Sequence, residues 1–131
     1  VFPVHPRTCK NLEKYELLET LRRAPGLHLD EPIGYVTFMN LVFNCRLVIT
    51  DSGGIQEETT YLGIPCLTMR PNTERPVTVA QGTNRLCSVE NLFHEAKHLL
   101  SASDLDHQVP EMWDGHTADR VVASIKRRLL V

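Results

Sequence analysis

The sequence predicts an α/β fold built of βα units around a parallel sheet. Three observations carry that reading. Short apolar runs rich in β-branched residues alternate with longer amphipathic stretches; one run, 46–50 (RLVIT), has the character of a strand buried on both faces; and Asp51-Ser52-Gly53-Gly54 ends that run and opens a helix.

Taken in order, 1–4 is a short strand, followed by a helix over 10–23 whose Leu12, Tyr15, Leu18 and Leu21 recur every three residues as an apolar stripe. Pro25-Gly26 stops it. A brief strand over 27–30 and a turn over 32–35 lead to a helix near 37–44, with Phe38, Leu41 and Val42 or Cys45 on one side. After the strand 46–50, the helix opened by Ser52-Gly53-Gly54 runs through Leu62, where Gly63 and then Pro65 give the order of a C-cap glycine and a helix stop. A strand over 65–69, a polar loop over 70–81 with a short helix, a small strand over 83–87, a helix over 89–101, a loop over 103–115 and a basic helix over 118–130 complete the chain. There is no internal repeat and no low-complexity segment.

With 131 residues, 42% of them hydrophobic, the chain has the size and core material of one domain, over 1–131. Its net charge of −2 is spread without a like-charge run, which argues against a nucleic-acid surface or a polybasic membrane anchor. No apolar run reaches the roughly 18 residues of a membrane span, and the N-terminal strand has no basic stretch before it, so a soluble cytoplasmic protein is expected. Cys9, Cys45, Cys66 and Cys87 are too widely spaced for a zinc site or a small disulfide framework and read as reduced, mostly buried thiols.

The chemistry concentrates at the strand-to-helix turn, where ligands sit in open α/β sheets. Gly53 and Gly54 let the backbone approach a ligand, the first helical N–H groups lack internal partners, and Ser52 adds a hydroxyl; together they suit a phosphate. The same residues also suit a plain N-cap and turn, and both readings stay open on this feature alone. Glu58 falls between Ile55 and Leu62 on the expected inward face, where a carboxylate needs donors such as a ribose diol; Glu57 is the acid that complements the helix dipole. Arg75, in the loop after the next strand, faces either the same phosphate or a surface acid, Glu74 or Glu57; Arg70 shares that ambiguity. His5 ends the first strand, at the edge where functional residues collect, and is also compatible with a structural role. His28, His94, His98, His107 and His116 show no ligand spacing except His94 and His98, which read as a solvated helix face.

In order and spacing, His5-Pro6-Arg7-Thr8, the string Thr50-Asp51-Ser52-Gly53-Gly54-Ile55-Gln56-Glu57-Glu58, Leu62-Gly63-Ile64-Pro65, Thr73-Glu74-Arg75-Pro76 and Gly82-Thr83 resemble the C-terminal half of the non-hydrolysing UDP-N-acetylglucosamine 2-epimerases. The likeness runs from Val1 to about Leu86 and continues loosely through Trp113-Asp114-Gly115 and Arg120. It implies a glycosyltransferase-B-type protein whose C-terminal part is three-layer αβα, with a Rossmann-like, mostly parallel sheet, and holds UDP in an interdomain cleft. Carried over, Ser52, Gly53 and Gly54 meet the diphosphate, Glu58 the ribose hydroxyls, Phe38 lies beside the uracil, Arg75 is a further nucleotide ligand and His5 stands in the active site. The implied reaction interconverts UDP-N-acetylglucosamine and UDP-N-acetylmannosamine by eliminating UDP and adding it back after protonation on the opposite face, with no cofactor, metal or nicotinamide.

The sequence departs from the family pattern at three points. The acids expected to act at C2 belong to the family's N-terminal domain, Val77-Thr78 stands where many members have an acid, and Val1 begins at what resembles the second strand of the family's C-terminal domain. The 1–4 strand is therefore expected either to pair directly with 46–50 or to leave edges covered by another copy, and another copy or a separate N-terminal domain is a candidate partner. On these residues the chain is expected to be a UDP-binding fragment that turns over little or not at all alone; a non-catalytic nucleotide-sugar or self-assembling module and a glycosyltransferase C-terminal domain are the alternatives.

Overall fold

A computed structural model describes residues 1–102 and 108–129. Part of the loop expected over 103–115, including His107, and the last residue of the helix expected over 118–130 lie outside the described residues. The chain divides into two compact units, Val1–Leu41 and Val42–Val131.

In the first unit β1 (Phe2–Pro3) pairs in parallel with β2 (Leu29–Asp30). Between them the single helix expected over 10–23 is two helices, α1 (Pro6–Lys14) and α2 (Leu18–Arg22). The early start has a local cause: Pro6 occupies the first turn, where its missing N–H costs nothing, and His5 Nδ1 accepts the Arg7 N–H at 3.2 Å. The break lies at Glu16, whose φ of 57° is left-handed. There the N–H groups of Glu16 and Leu17 turn back to the carbonyls of Glu13 (3.0 Å) and Leu12 (2.8 Å), the closure usually made by a glycine. α3 (Tyr35–Asn44) follows, and the boundary between units falls within it.

The second unit holds β3 (Val48–Thr50), β4 (Cys66–Thr68) and β5 (Asn84–Leu86), all parallel, with β4 in the middle. The helices are α4 (Gly53–Leu62), α5 (Pro76–Ala80), α6 (Leu92–Ser101) and α7 (Thr117–Leu129). Alternation along β4 separates two faces. Leu67 points into an apolar cluster with Cys87 and Leu99, edged by Leu47, Met69, Leu92 and Ala96, so α6 covers this face. Cys66 and Thr68 point the other way, towards α4 and its buried Gln56, Thr59 and Thr60. The result is helices on both faces of a parallel sheet, an αβα, Rossmann-like arrangement.

One expectation fails in an instructive way, and one of two alternatives drops out. The 46–50 run is not buried on both faces: Ile49 keeps 50% of its surface, and among the described residues β3 lies at the edge of its sheet, beside β4. Full burial falls instead on β4, which has a neighbour on each side. Of the two arrangements expected for the 1–4 strand, direct pairing with 46–50 is not found among the described residues, where β1 bonds to β2 and β3 to β4.

All four cysteines are free, but only Cys66 and Cys87 are buried, while Cys9 and Cys45 are partly exposed. Burial pushes the thiols of Cys45, Cys66 and Cys87 up from their usual range. The loosely matching Trp113-Asp114-Gly115 stretch leads into α7 through a clamp. Arg120 donates to Asp114 Oδ2 (2.9 Å) and the Met112 carbonyl (2.8 Å), while Asp114 Oδ1 accepts the His116 N–H (3.0 Å).

Candidate functional site

β3 ends at Thr50, and Ser52 stands in extended conformation (φ −79°, ψ 130°) at the N-cap of α4. Its side chain makes no capping bond, and the first turn of α4 holds no acid. The hydroxyl and the leading amides of α4 are thus not used up by the helix's own cap, and the positive end of the dipole meets no carboxylate from that turn. Thr50 Oγ1 accepts the Ser52 N–H at 3.0 Å and fixes the turn. A Cβ on Gly54 would meet nothing within 4 Å, whereas one on Gly53 would lie 3.3 Å from Glu74 Oε1. Gly54 therefore opens outward, and Gly53 faces the loop after β4.

That loop carries the expected arginine. Arg75 Nε lies 3.0 Å from Glu57 Oε1, as a charge contact whose N–H is not aligned on the oxygen, and Nη1 donates to the Glu74 carbonyl at 3.5 Å. Arg70 Nη1 donates to Glu74 Oε2 at 3.3 Å. The Glu74 carboxyl is held below its ordinary range, first by a backbone N–H of its own and then by the Arg70 and Arg75 charges. The acid alternatives weighed for Arg75 and Arg70 are thus both populated. Ion pairs this accessible to solvent are screened and contribute little stability.

Glu58 is half-buried, on the shoulder of α4 with Ile55 and Leu62. The fully buried face is polar: Gln56, Thr59 and Thr60. The expectation took apolar neighbours as the mark of the inward face, but α4 packs here on polar side chains and on a close-approach glycine. A Cβ on Gly82 would overlap the Thr60 side chain and come within 2.7 Å of the Thr78 carbonyl. Thr83 Oγ1 secures the same junction by donating to the Ile64 carbonyl at 2.6 Å.

Sequence reasoning missed Gln56. Its Nε2 donates to the Ser52 carbonyl at 3.3 Å, and its Oε1 accepts from Thr73 Oγ1 at 2.6 Å and Asn84 Nδ2 at 3.1 Å. Read between Ile55 and Glu57, it counts as ordinary helix surface; the available signal was its i+3 and i+4 partners Thr59 and Thr60, which share its face.

Ser52, Gly53, Gly54, Glu58 and Arg75 lie in the second unit; His5 and Phe38 lie in the first. His5 is exposed and, with Nδ1 engaged as acceptor, presents Nε2 as its free ring nitrogen. Phe38 is half-buried on α3. His94 and His98 are exposed on α6, as expected of a solvated face. Among the described residues no cluster of three or more His, Cys, Asp or Glu is placed to hold a metal ion, and no helix is long and apolar enough to cross a membrane.

A parallel sheet flanked by helices, with open amides at a strand-to-helix turn and an arginine loop emerging from the neighbouring strand, defines an αβα, Rossmann-like protein of the kind that binds ligands at its strand ends. The sequence model of UDP-N-acetylglucosamine 2-epimerase matches residues 1–126. The chain belongs to that family. It is 41% identical over 105 residues to the UDP-N-acetylglucosamine 2-epimerase of Methanococcus maripaludis, covering 79% of this chain and 29% of that protein. With the enzyme of the same name from Methanocaldococcus jannaschii it shares 46% over 86 residues, 66% of this chain and 24% of the other. The crystal structure of the M. jannaschii UDP-GlcNAc 2-epimerase in complex with UDP-GlcNAc and UDP superimposes with a TM-score of 0.83 at 37% identity, covering 96% of this chain and 35% of that one. The chain therefore spans about a quarter to a third of the length of these relatives.

Proposed function

We propose that this chain is the UDP-binding part of a UDP-N-acetylglucosamine 2-epimerase, with residues 1–131 corresponding to the C-terminal domain of a glycosyltransferase-B-type protein, an isomerase that interconverts UDP-N-acetylglucosamine and UDP-N-acetylmannosamine. The observation that carries this is the start of α4, where the Ser52 hydroxyl makes no capping bond and the first turn holds no acid. The diphosphate takes the α4 amides at Ser52, Gly53 and Gly54 together with the Ser52 hydroxyl, in the geometry that favours anions at helix starts. Glu58 accepts from the ribose hydroxyls. Arg75 exchanges its misaligned contact with Glu57 for the diphosphate, whose greater charge density gives the stronger partner.

In the full reaction, holding the diphosphate is catalytic as well as binding work, because UDP is the departing group and its negative charge grows as the anomeric C–O bond breaks. The proton at C2 leaves one face and returns to the other, which requires acids and bases on both sides. The family supplies carboxylates for this from its N-terminal residues, so the isolated chain binds UDP and turns over little. Phe38 beside the uracil and His5 as an active-site residue are assigned from the family pattern. A cytoplasmic location, and a partner that covers the β3 edge, either the N-terminal domain or another copy, complete the proposal.

Isothermal titration with UDP tests it. Binding is expected, with Ser52→Ala, Glu58→Ala and Arg75→Ala each weaker than wild type; absence of heat with millimolar UDP would sink the reading. Adding an N-terminal half and UDP-N-acetylglucosamine, and following epimer and released UDP, tests the catalytic part and the His5→Ala variant within it.

A further inference from the structure

Resting on the diphosphate reading above, we propose that Gln56 and Thr73 are positioning residues, a hydrogen-bonded relay that ties the backbone of Ser52 to that of Arg75 and sets the diphosphate site before the ligand arrives. Ser52 follows β3 and Arg75 follows β4, so they reach the site on separate loops whose spacing neither strand dictates by itself. Three bonds in series span the gap. Gln56 Nε2 donates to the Ser52 carbonyl (3.3 Å), Thr73 Oγ1 donates to Gln56 Oε1 (2.6 Å), and the Arg75 N–H donates to Thr73 Oγ1 (3.0 Å).

The relay has one direction, and its neighbours enforce it. Gln56 is fully buried, and its Oε1 also accepts Asn84 Nδ2 at 3.1 Å. With two donors on that oxygen, Nε2 is left facing the Ser52 carbonyl. Asn84 is oriented in turn, because its Oδ1 accepts the Thr68 hydroxyl (2.6 Å) and its Nδ2 donates to Thr78 Oγ1 (3.1 Å). Thr78 closes the circuit by donating its hydroxyl to the Arg75 carbonyl at 2.7 Å. Arg75 is therefore gripped at both its N–H and its C=O, while its half-exposed side chain has the unaligned contact with Glu57 and a long Nη1 bond to the Glu74 carbonyl. A backbone this constrained beneath a side chain held by weaker contacts is suited to presenting an arginine to a ligand, since little backbone ordering remains to be done on binding.

Thr73 is the point at which to cut the relay, being only half-buried and outside any helix or strand. Thr73→Val keeps the shape but removes both the donor to Gln56 and the acceptor for the Arg75 N–H; Thr73→Ser keeps both. In the unliganded chain, amide hydrogen exchange at Arg75 is expected to speed up about tenfold in Thr73→Val, with the α4 amides unchanged and the melting temperature close to wild type. Its UDP affinity is expected to fall about five- to tenfold by titration calorimetry, and Thr73→Ser to match wild type in both measurements. Unchanged Arg75 exchange in Thr73→Val overturns the relay. So does UDP affinity equal to that of a wild-type chain that binds, and in that case the diphosphate reading stands. A wild-type chain that fails to bind UDP overturns the diphosphate reading and the relay's role together.

Discussion

The two faces of β4 are held by different physics. On one, Leu67, Cys87 and Leu99 make an apolar cluster in which neighbours of similar size can substitute for one another. On the other, Gln56, Thr68, Thr78 and Asn84 are as deeply buried but are joined by directional hydrogen bonds, in which each group has one partner arrangement. The candidate diphosphate site lies over the polar face. A site that must keep two loops in register is served by bonds that specify geometry, and a fold that must resist unfolding is served by apolar area.

On that division, the largest effect on stability comes from the apolar face. Leu99→Ala, in a side chain only 3% exposed, is expected to cost about 2–5 kcal/mol in urea unfolding while the molecules that remain folded bind UDP as wild type does. Equal losses of affinity and stability would show that the faces are not separable. Gly82→Ala attacks the polar face instead. Its Cβ would overlap Thr60 and press on the Thr78 carbonyl, so a cost of about 1–3 kcal/mol is expected, and here UDP affinity should fall in the folded molecules too.

A smaller change sharpens the comparison from the ligand side. Glu57→Gln removes the carboxylate that occupies Arg75, at a pair whose two side chains are each about two-fifths exposed. UDP should then bind about two- to threefold more tightly, and less so as salt rises. Weaker binding would mean that Glu57 aims Arg75 rather than competing for it.

How much of this was legible in the sequence follows the same division. The parallel α/β order, the Ser52 turn and the end of α4 at Gly63 could be read because apolar runs and glycines announce them; Gly63 takes the left-handed φ of 72° that its residue type permits. Glu16 makes the same closure at φ 57° with no glycine to mark it, which is why the sequence reads as one helix where the structure has α1 and α2. The 46–50 run reads as doubly buried because its residues are apolar, yet burial depends on neighbours, and among the described residues β3 is an edge strand beside β4. Gln56 was passed over for the opposite reason. A buried amide looks like surface until its partners Thr73 and Asn84, 17 and 28 residues away along the chain, are brought beside it.

The smallest effect expected lies away from both faces, at the start of α7. The Arg120 hydrogen bond, followed by the His116 N–H, lowers the Asp114 carboxyl to about 2. An unfolded aspartate titrates near 3.9, so the folded state binds the proton less readily than the unfolded one. The clamp's contribution is therefore fully present above about pH 4, declines as pH falls through the window between the two values, and is gone below about 2. Because both side chains are at the surface, the change should be small and local to α7, visible as an Asp114 carboxyl resonance with a midpoint near 2 in an NMR titration. Arg120→Gln should return that midpoint towards the ordinary carboxylate range and leave UDP binding unchanged; a midpoint that stays low in the variant would assign the shift to the His116 N–H instead of the guanidinium.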